Sequence, residues 1–84
     1  MTRANVIIKH GDRELFLYRH SDGYPKGLGV DLECCINPHD PLETLFNILE
    51  NCDLEITDSI HGDIEYLYTI TLNEGFVMMS FVKV

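Results

Sequence analysis

Ile64-Glu65-Tyr66-Leu67-Tyr68-Thr69-Ile70-Thr71-Leu72 is the stretch on which the reading of the fold turns. Ile64, Tyr66, Tyr68, Ile70 and Leu72 alternate with Glu65, Leu67, Thr69 and Thr71, the period-two pattern of a strand. Turn residues bracket it, His61-Gly62-Asp63 before and Asn73-Glu74-Gly75 after. Beyond the first turn, Leu54, Ile56 and Ile60 share one face while Glu55, Thr57 and Ser59 share the other. Beyond the second lies an apolar run from Phe76 to Val84. Three strands joined by two short turns read as a C-terminal β-meander.

Toward the N-terminus, Asp40-Pro41-Leu42-Glu43 supplies an N-cap, a proline in the first helical position and a glutamate in the third. That is a helix start with a capping-box arrangement. Leu42, Leu45, Phe46 and Leu49 follow at helical spacing, so residues 41–51 are predicted to form an amphipathic helix packed on the sheet. Val30 to Asn37 fits both periods. Gly27 and Gly29 close a loop directly before it, which tips the reading to a short helix. Val6-Ile7-Ile8-Lys9-His10 and Glu14-Leu15-Phe16-Leu17-Tyr18-Arg19, joined by Gly11-Asp12, read as a β-hairpin.

The predicted order is β-β-(α)-α-β-β-β, an α+β chain. It implies a two-layer sandwich, with one main helix on an antiparallel sheet of about five strands built from the hairpin and the meander. Residues 1–84 suffice for a single domain with a thin core. The last strand is apolar on both faces: Phe76, Met78 and Val82 on one, Val77, Met79 and Phe81 on the other. One helix layer covers one face. The second needs the rest of the chain, another copy or a partner, and homodimerisation is the commonest solution.

The formal charge is −8, and its placement says more than its size. Five of the six basic residues lie before Gly27, and Lys83 is the sixth. From Gly27 to Val82 there is no Lys or Arg against eleven acidic residues. Such a surface repels nucleic acid and attracts a basic partner. Three cysteines, Cys34, Cys35 and Cys52, with no secretion signal point to reduced thiols in a cytoplasm. No apolar run reaches the length of a membrane-spanning helix, so no membrane association is expected.

Between the hairpin and the short helix lies Tyr18-Arg19-His20-Ser21-Asp22-Gly23-Tyr24-Pro25. His20, Ser21 and Asp22 are the residue types of a hydrolase triad, but contiguous side chains point apart and do not converge. Turn chemistry explains more: Ser21 and Asp22 cap through their side chains, Gly23 takes a positive φ and Pro25 fixes the exit. Tyr18 and Tyr24 are expected to pack across the loop, with Arg19 paired to Asp22 or another acid. A loop of such composition is the best candidate for a binding surface, formed by Tyr18, Arg19, His20, Asp22 and Tyr24.

With Ala4-Asn5-Val6 before it, this motif resembles the signature of a family of small uncharacterised proteins encoded in bacterial, prophage and phage genomes. The resemblance covers the first third of the chain. It implies a shared fold and a phage-related setting, and no mechanism.

The expected function is that of a non-enzymatic interaction protein, self-associating or binding a protein partner through the loop and the acidic surface. Its sharpest form is an inhibitor of host defence that mimics nucleic acid by its acidity. Two alternatives stand beside it. One is a small enzyme using His20 and Asp22, with Arg19 as an anion clamp and all three lining a pocket. The other is a metal or redox protein using Cys34, Cys35 and Cys52. Adjacent cysteines seldom share an ion, and core packing accounts for free thiols, so neither a metal nor a cofactor is expected.

Overall fold

Gly11 adopts a left-handed φ of 61°, and around it Ala4–His10 (β1) and Arg13–Arg19 (β2) pair antiparallel, from Ala4 opposite Arg19 to His10 opposite Arg13. The computed structural model describes residues 1–84. A π-helical turn, Pro25–Gly29, leads directly into a short helix, Val30–Cys35 (α1). The main helix, Pro41–Asn51 (α2), has the expected N-cap, the Asp40 carboxylate accepting the Glu43 N–H at 3.0 Å, but not the reciprocal half of a capping box. The Glu43 carboxylate accepts from the Asn37 side-chain amide at 2.8 Å instead, and the Asp40 N–H donates to Asn37 O. Glu55–Thr57 (β3), Tyr66–Asn73 (β4) and Phe76–Lys83 (β5) complete an α+β fold.

The five strands form one sheet in the order β3-β2-β1-β4-β5. The sheet is mixed, not antiparallel throughout: β1 runs parallel to β4, with Val6 opposite Tyr68 and Ile8 opposite Ile70. Nor do the last three strands make a meander. Only β4 and β5 form a hairpin, while β3 pairs with β2 at the far edge, Leu17 opposite Ile56. Hydrophobic alternation sets which face of a strand is buried but is silent about its neighbour. Residues 58–65 carry the chain from the β3 edge back to the start of β4. They are tied down by the buried Asn5, whose side-chain oxygen accepts the His61 N–H at 2.7 Å while its amide donates to Leu17 O at 2.8 Å.

One face of the sheet is the core. Ala4, Val6, Ile8, Leu17, Tyr68, Ile70 and Leu72 meet Leu28, Leu32, Cys35, Ile48 and Cys52 from the helical layer. The α2 helix is rolled from the expected orientation. Thr44 and Ile48 are its fully buried residues, whereas Leu42, Phe46 and Leu49 are 62%, 54% and 40% exposed. Thr44 fixes that roll: its hydroxyl accepts the Asn37 N–H at 2.9 Å and lies 3.0 Å from Asp40 O.

Candidate functional site

Arg19 leaves the loop for the helical layer. Its guanidinium donates to Ser21 O and to Cys52 O, each at 3.0 Å, and pairs with Asp31 at 3.3 Å. It thereby ties the loop, α1 and the end of α2 together. Tyr18 points to the opposite face of the sheet and is only 3% exposed. Its ring stacks on His61 at a centroid distance of 3.9 Å and forms a T-shaped pair with His20 at 4.7 Å. Its hydroxyl donates to Asp63 at 3.0 Å, and burial, followed by that hydrogen bond, raises its pKa above the ordinary value. His20 lies 3.0 Å from Glu55 on the exposed surface.

Asp22, not Gly23, takes the left-handed conformation, with φ 56°. Its carbonyl accepts the Leu28 N–H at 2.9 Å. Gly23 is required for close approach instead: a Cβ there would stand 2.7 Å from the Ala4 Cβ. Tyr24 heads the π-helical turn and stays exposed. Of the expected surface, Tyr18 and Arg19 are structural anchors on opposite faces of the sheet, and only Tyr18 and His20 meet. None of the cavities is lined by Arg19, His20 or Asp22, so the pocket that the enzyme reading requires is missing.

The thiols divide as well. Cys34 is exposed, while Cys35 and Cys52 are buried with their sulfurs 3.6 Å apart. Burial, then the hydrogen bond with Cys35, pushes the Cys52 thiol up to about 12. That is the opposite of a reactive thiolate. No cluster of three or more His, Cys, Asp or Glu side chains is arranged to hold a metal ion.

The largest concavity lies at the other end of β1. A cleft of about 560 Å³ opens between the first turn of α2 and the ends of β1 and β4, lined by His10, Asp40, Pro41, Leu42, Leu45, Leu72, Asn73 and Glu74. A smaller hollow of about 160 Å³ continues it, sharing His10, Leu45 and Leu72 and reaching Ile8, Arg13, Glu14 and Leu15 on the hairpin. The floor is apolar and the rim charged, the composition expected of a binding cleft. The exposed ridge Leu42, Phe46 and Leu49 runs from its mouth along α2.

The chain matches no family model, no curated protein and no solved structure. The ridge is visible in the sequence as part of the stripe Leu42, Leu45, Phe46 and Leu49, of which only Leu45 packs against the core. The signal for the alternative was Thr44-Ile48-Cys52, also at helical spacing and also able to face inward.

Proposed function

We propose that this chain is a non-enzymatic interaction protein that receives an apolar segment with basic flanks from a protein partner. The observation that carries the reading is the α2 ridge, Leu42, Phe46 and Leu49, exposed and continuous with an apolar cleft of about 560 Å³. Side chains spaced at i, i+4 and i+7 suit the groove-and-anchor recognition of an amphipathic helix. Asp40, Glu43, Glu50 and Glu74 stand around the ridge and cleft, and no Lys or Arg occurs between Gly27 and Val82. Those acids repel an acidic segment and steer a basic one. The loop bears exposed His20 and Tyr24 near the opposite end of the sheet, where they extend the contact only for a partner that spans the molecule.

The test uses two labelled amphipathic peptides of the same leucine pattern, one with lysine and one with glutamate on the polar face. The lysine peptide is expected to bind, with affinity falling as salt is raised. Leu42→Ser and Phe46→Ser, both at exposed positions, are expected to weaken it about tenfold each without unfolding the chain. Equal binding of the glutamate peptide, or indifference to both substitutions, sinks the reading.

A further inference from the structure

The two edges of the sheet are built differently. The β3 edge is three residues long and carries the exposed Glu55, a short charged edge of the kind that resists pairing. The β5 edge is eight residues long, about 27 Å of strand, against 35 Å for the longest dimension of the molecule. From Phe76 to Val82 it holds no charged residue and no proline. None of the usual devices that blunt an edge is present over that length.

The backbone of β5 is also set up to pair. Its turn from β4 has two residues, Glu74 and Gly75, with Asn73 opposite Phe76. A two-residue hairpin closes on a hydrogen-bonded pair, and such pairs alternate along an antiparallel ladder. Phe76, Met78, Ser80 and Val82 therefore direct their amides and carbonyls to β4. Those of Val77, Met79, Phe81 and Lys83 point outward and are free to accept another strand.

We infer that β5 pairs antiparallel with β5 of a second copy, joining two five-stranded sheets into one continuous sheet of two chains. A two-fold axis perpendicular to the sheet through Met79 sets Val77 opposite Phe81 and Phe76 opposite Val82. The outward amides of Val77, Met79 and Phe81 then lie in hydrogen-bonded pairs, and like side-chain faces meet. Charge selects the occupant. In a chain of −8, a second copy would be repelled almost everywhere else, but this strand is neutral over seven residues. In this register Lys83, the only base after Lys26, reaches the turn of the other copy that carries Glu74. A basic partner would find no acid along the strand to pair with. Both helical layers fall on the same side, flanking a trough formed by Val77, Met79 and Phe81 of both chains. The contact is on the order of 600 Å² per copy, at the low end of specific interfaces, the size of a weak, concentration-dependent association.

Sedimentation equilibrium of the 84-residue chain tests this, together with residue-resolved amide exchange across a dilution series. The expected result is a concentration-dependent species of twice the 9.6 kDa chain mass, with protection of the Val77, Met79 and Phe81 amides that is lost on dilution. Met79→Pro removes an outward donor, and Met78→Asp puts like charges close to the axis. Each is expected to weaken the dimer at least tenfold while the circular dichroism of the monomer is kept. A single 9.6 kDa species up to the highest soluble concentration overturns the inference. So does a dimer that both variants leave intact. If Phe46→Ser dissolves the dimer and Met78→Asp does not, the second copy sits in the cleft and not on β5.

Discussion

Arg19 shows how one side chain can close a small fold. Its guanidinium satisfies the carbonyls of Ser21 and Cys52 and pairs with Asp31, with only 16% of the side chain exposed. Arg19→Ala leaves the Cys52 carbonyl at the helix end without its donor, at a cost of about 2 kcal/mol in urea unfolding. Arg19→Lys keeps the charge but not the fork of donors and should recover less than half of that. If Arg19→Ala leaves the urea midpoint unchanged, the anchoring role fails. Gly27 offers a steric counterpart. A Cβ there would stand 2.6 Å from Asp22 O, whereas at Gly62 it would meet nothing within 4 Å. Gly27→Ala should therefore destabilise by about 2 kcal/mol and Gly62→Ala hardly at all. At this scale composition marked the Ser21–Pro25 segment as a turn. Which residue would take the left-handed φ depended on how closely Thr2 and Ala4 pass Gly23, a contact that local sequence does not contain.

The elements were legible where local chemistry dictates them. Asp40, Pro41 and Glu43 fixed the start of α2, and Gly11-Asp12 with Asn73-Glu74-Gly75 fixed the two hairpins. The inward face of α2 was not legible, because two stripes compete on it and the larger one lost. The Thr44 hydroxyl and the pairing of Cys52 with Cys35 settled that contest through tertiary contacts. The same packing makes a prediction about pH. The Cys52 thiol, ordinarily 9.0, is pushed to about 12, and the Tyr68 hydroxyl, ordinarily 10.0, to about 12 by burial and then by Tyr66. Above pH 9 the unfolded chain releases these protons first, so the native state binds more of them and loses stability as pH rises. The stabilisation is complete below pH 9 and fades through about 12. Urea midpoints should fall over that alkaline window and hold steady just below it. Cys52→Ala and Tyr68→Phe should each flatten the fall; a midpoint that stays level on the alkaline side contradicts the argument. In the native chain near neutral pH, a thiol reagent should modify Cys34 alone.

At the scale of the whole molecule, the parallel pairing of β1 with β4 distinguishes this chain from a plain run of hairpins. It requires residues 58–65 to cross from one edge of the sheet to its interior, and a β-pattern in sequence gives no sign of such a crossing. One buried polar residue does carry a trace of it. Asn5 lies in a strand of Val and Ile, fully buried, where an apolar side chain would be cheaper unless both ends of the amide were satisfied. Both are, one by Leu17 O within the hairpin and one by His61 N in the crossing segment. Asn5 thus couples the hairpin to the route that places β4 beside β1. Asn5→Ala removes both bonds, leaves the His61 N–H without its acceptor and the Leu17 carbonyl with its ladder bond only, and opens a small void, a loss of about 3 kcal/mol. Asn5→Asp keeps the acceptor for His61 but gives up the donor to Leu17 and buries a charge, so it should fare no better at neutral pH and improve as acid protonates it. Limited proteolysis separates this role from generic core packing. With Asn5→Ala, cleavage should begin within residues 58–65 under conditions where Ile8→Ala, an ordinary core truncation in the same strand, is cut only on global unfolding. Equal cleavage patterns for the two variants would reduce Asn5 to one more core residue and leave the crossing held by its other ties, Tyr18 with His61 and Asp63, Thr57 with His61, and Arg3 with Asp63 and the Glu65 N–H.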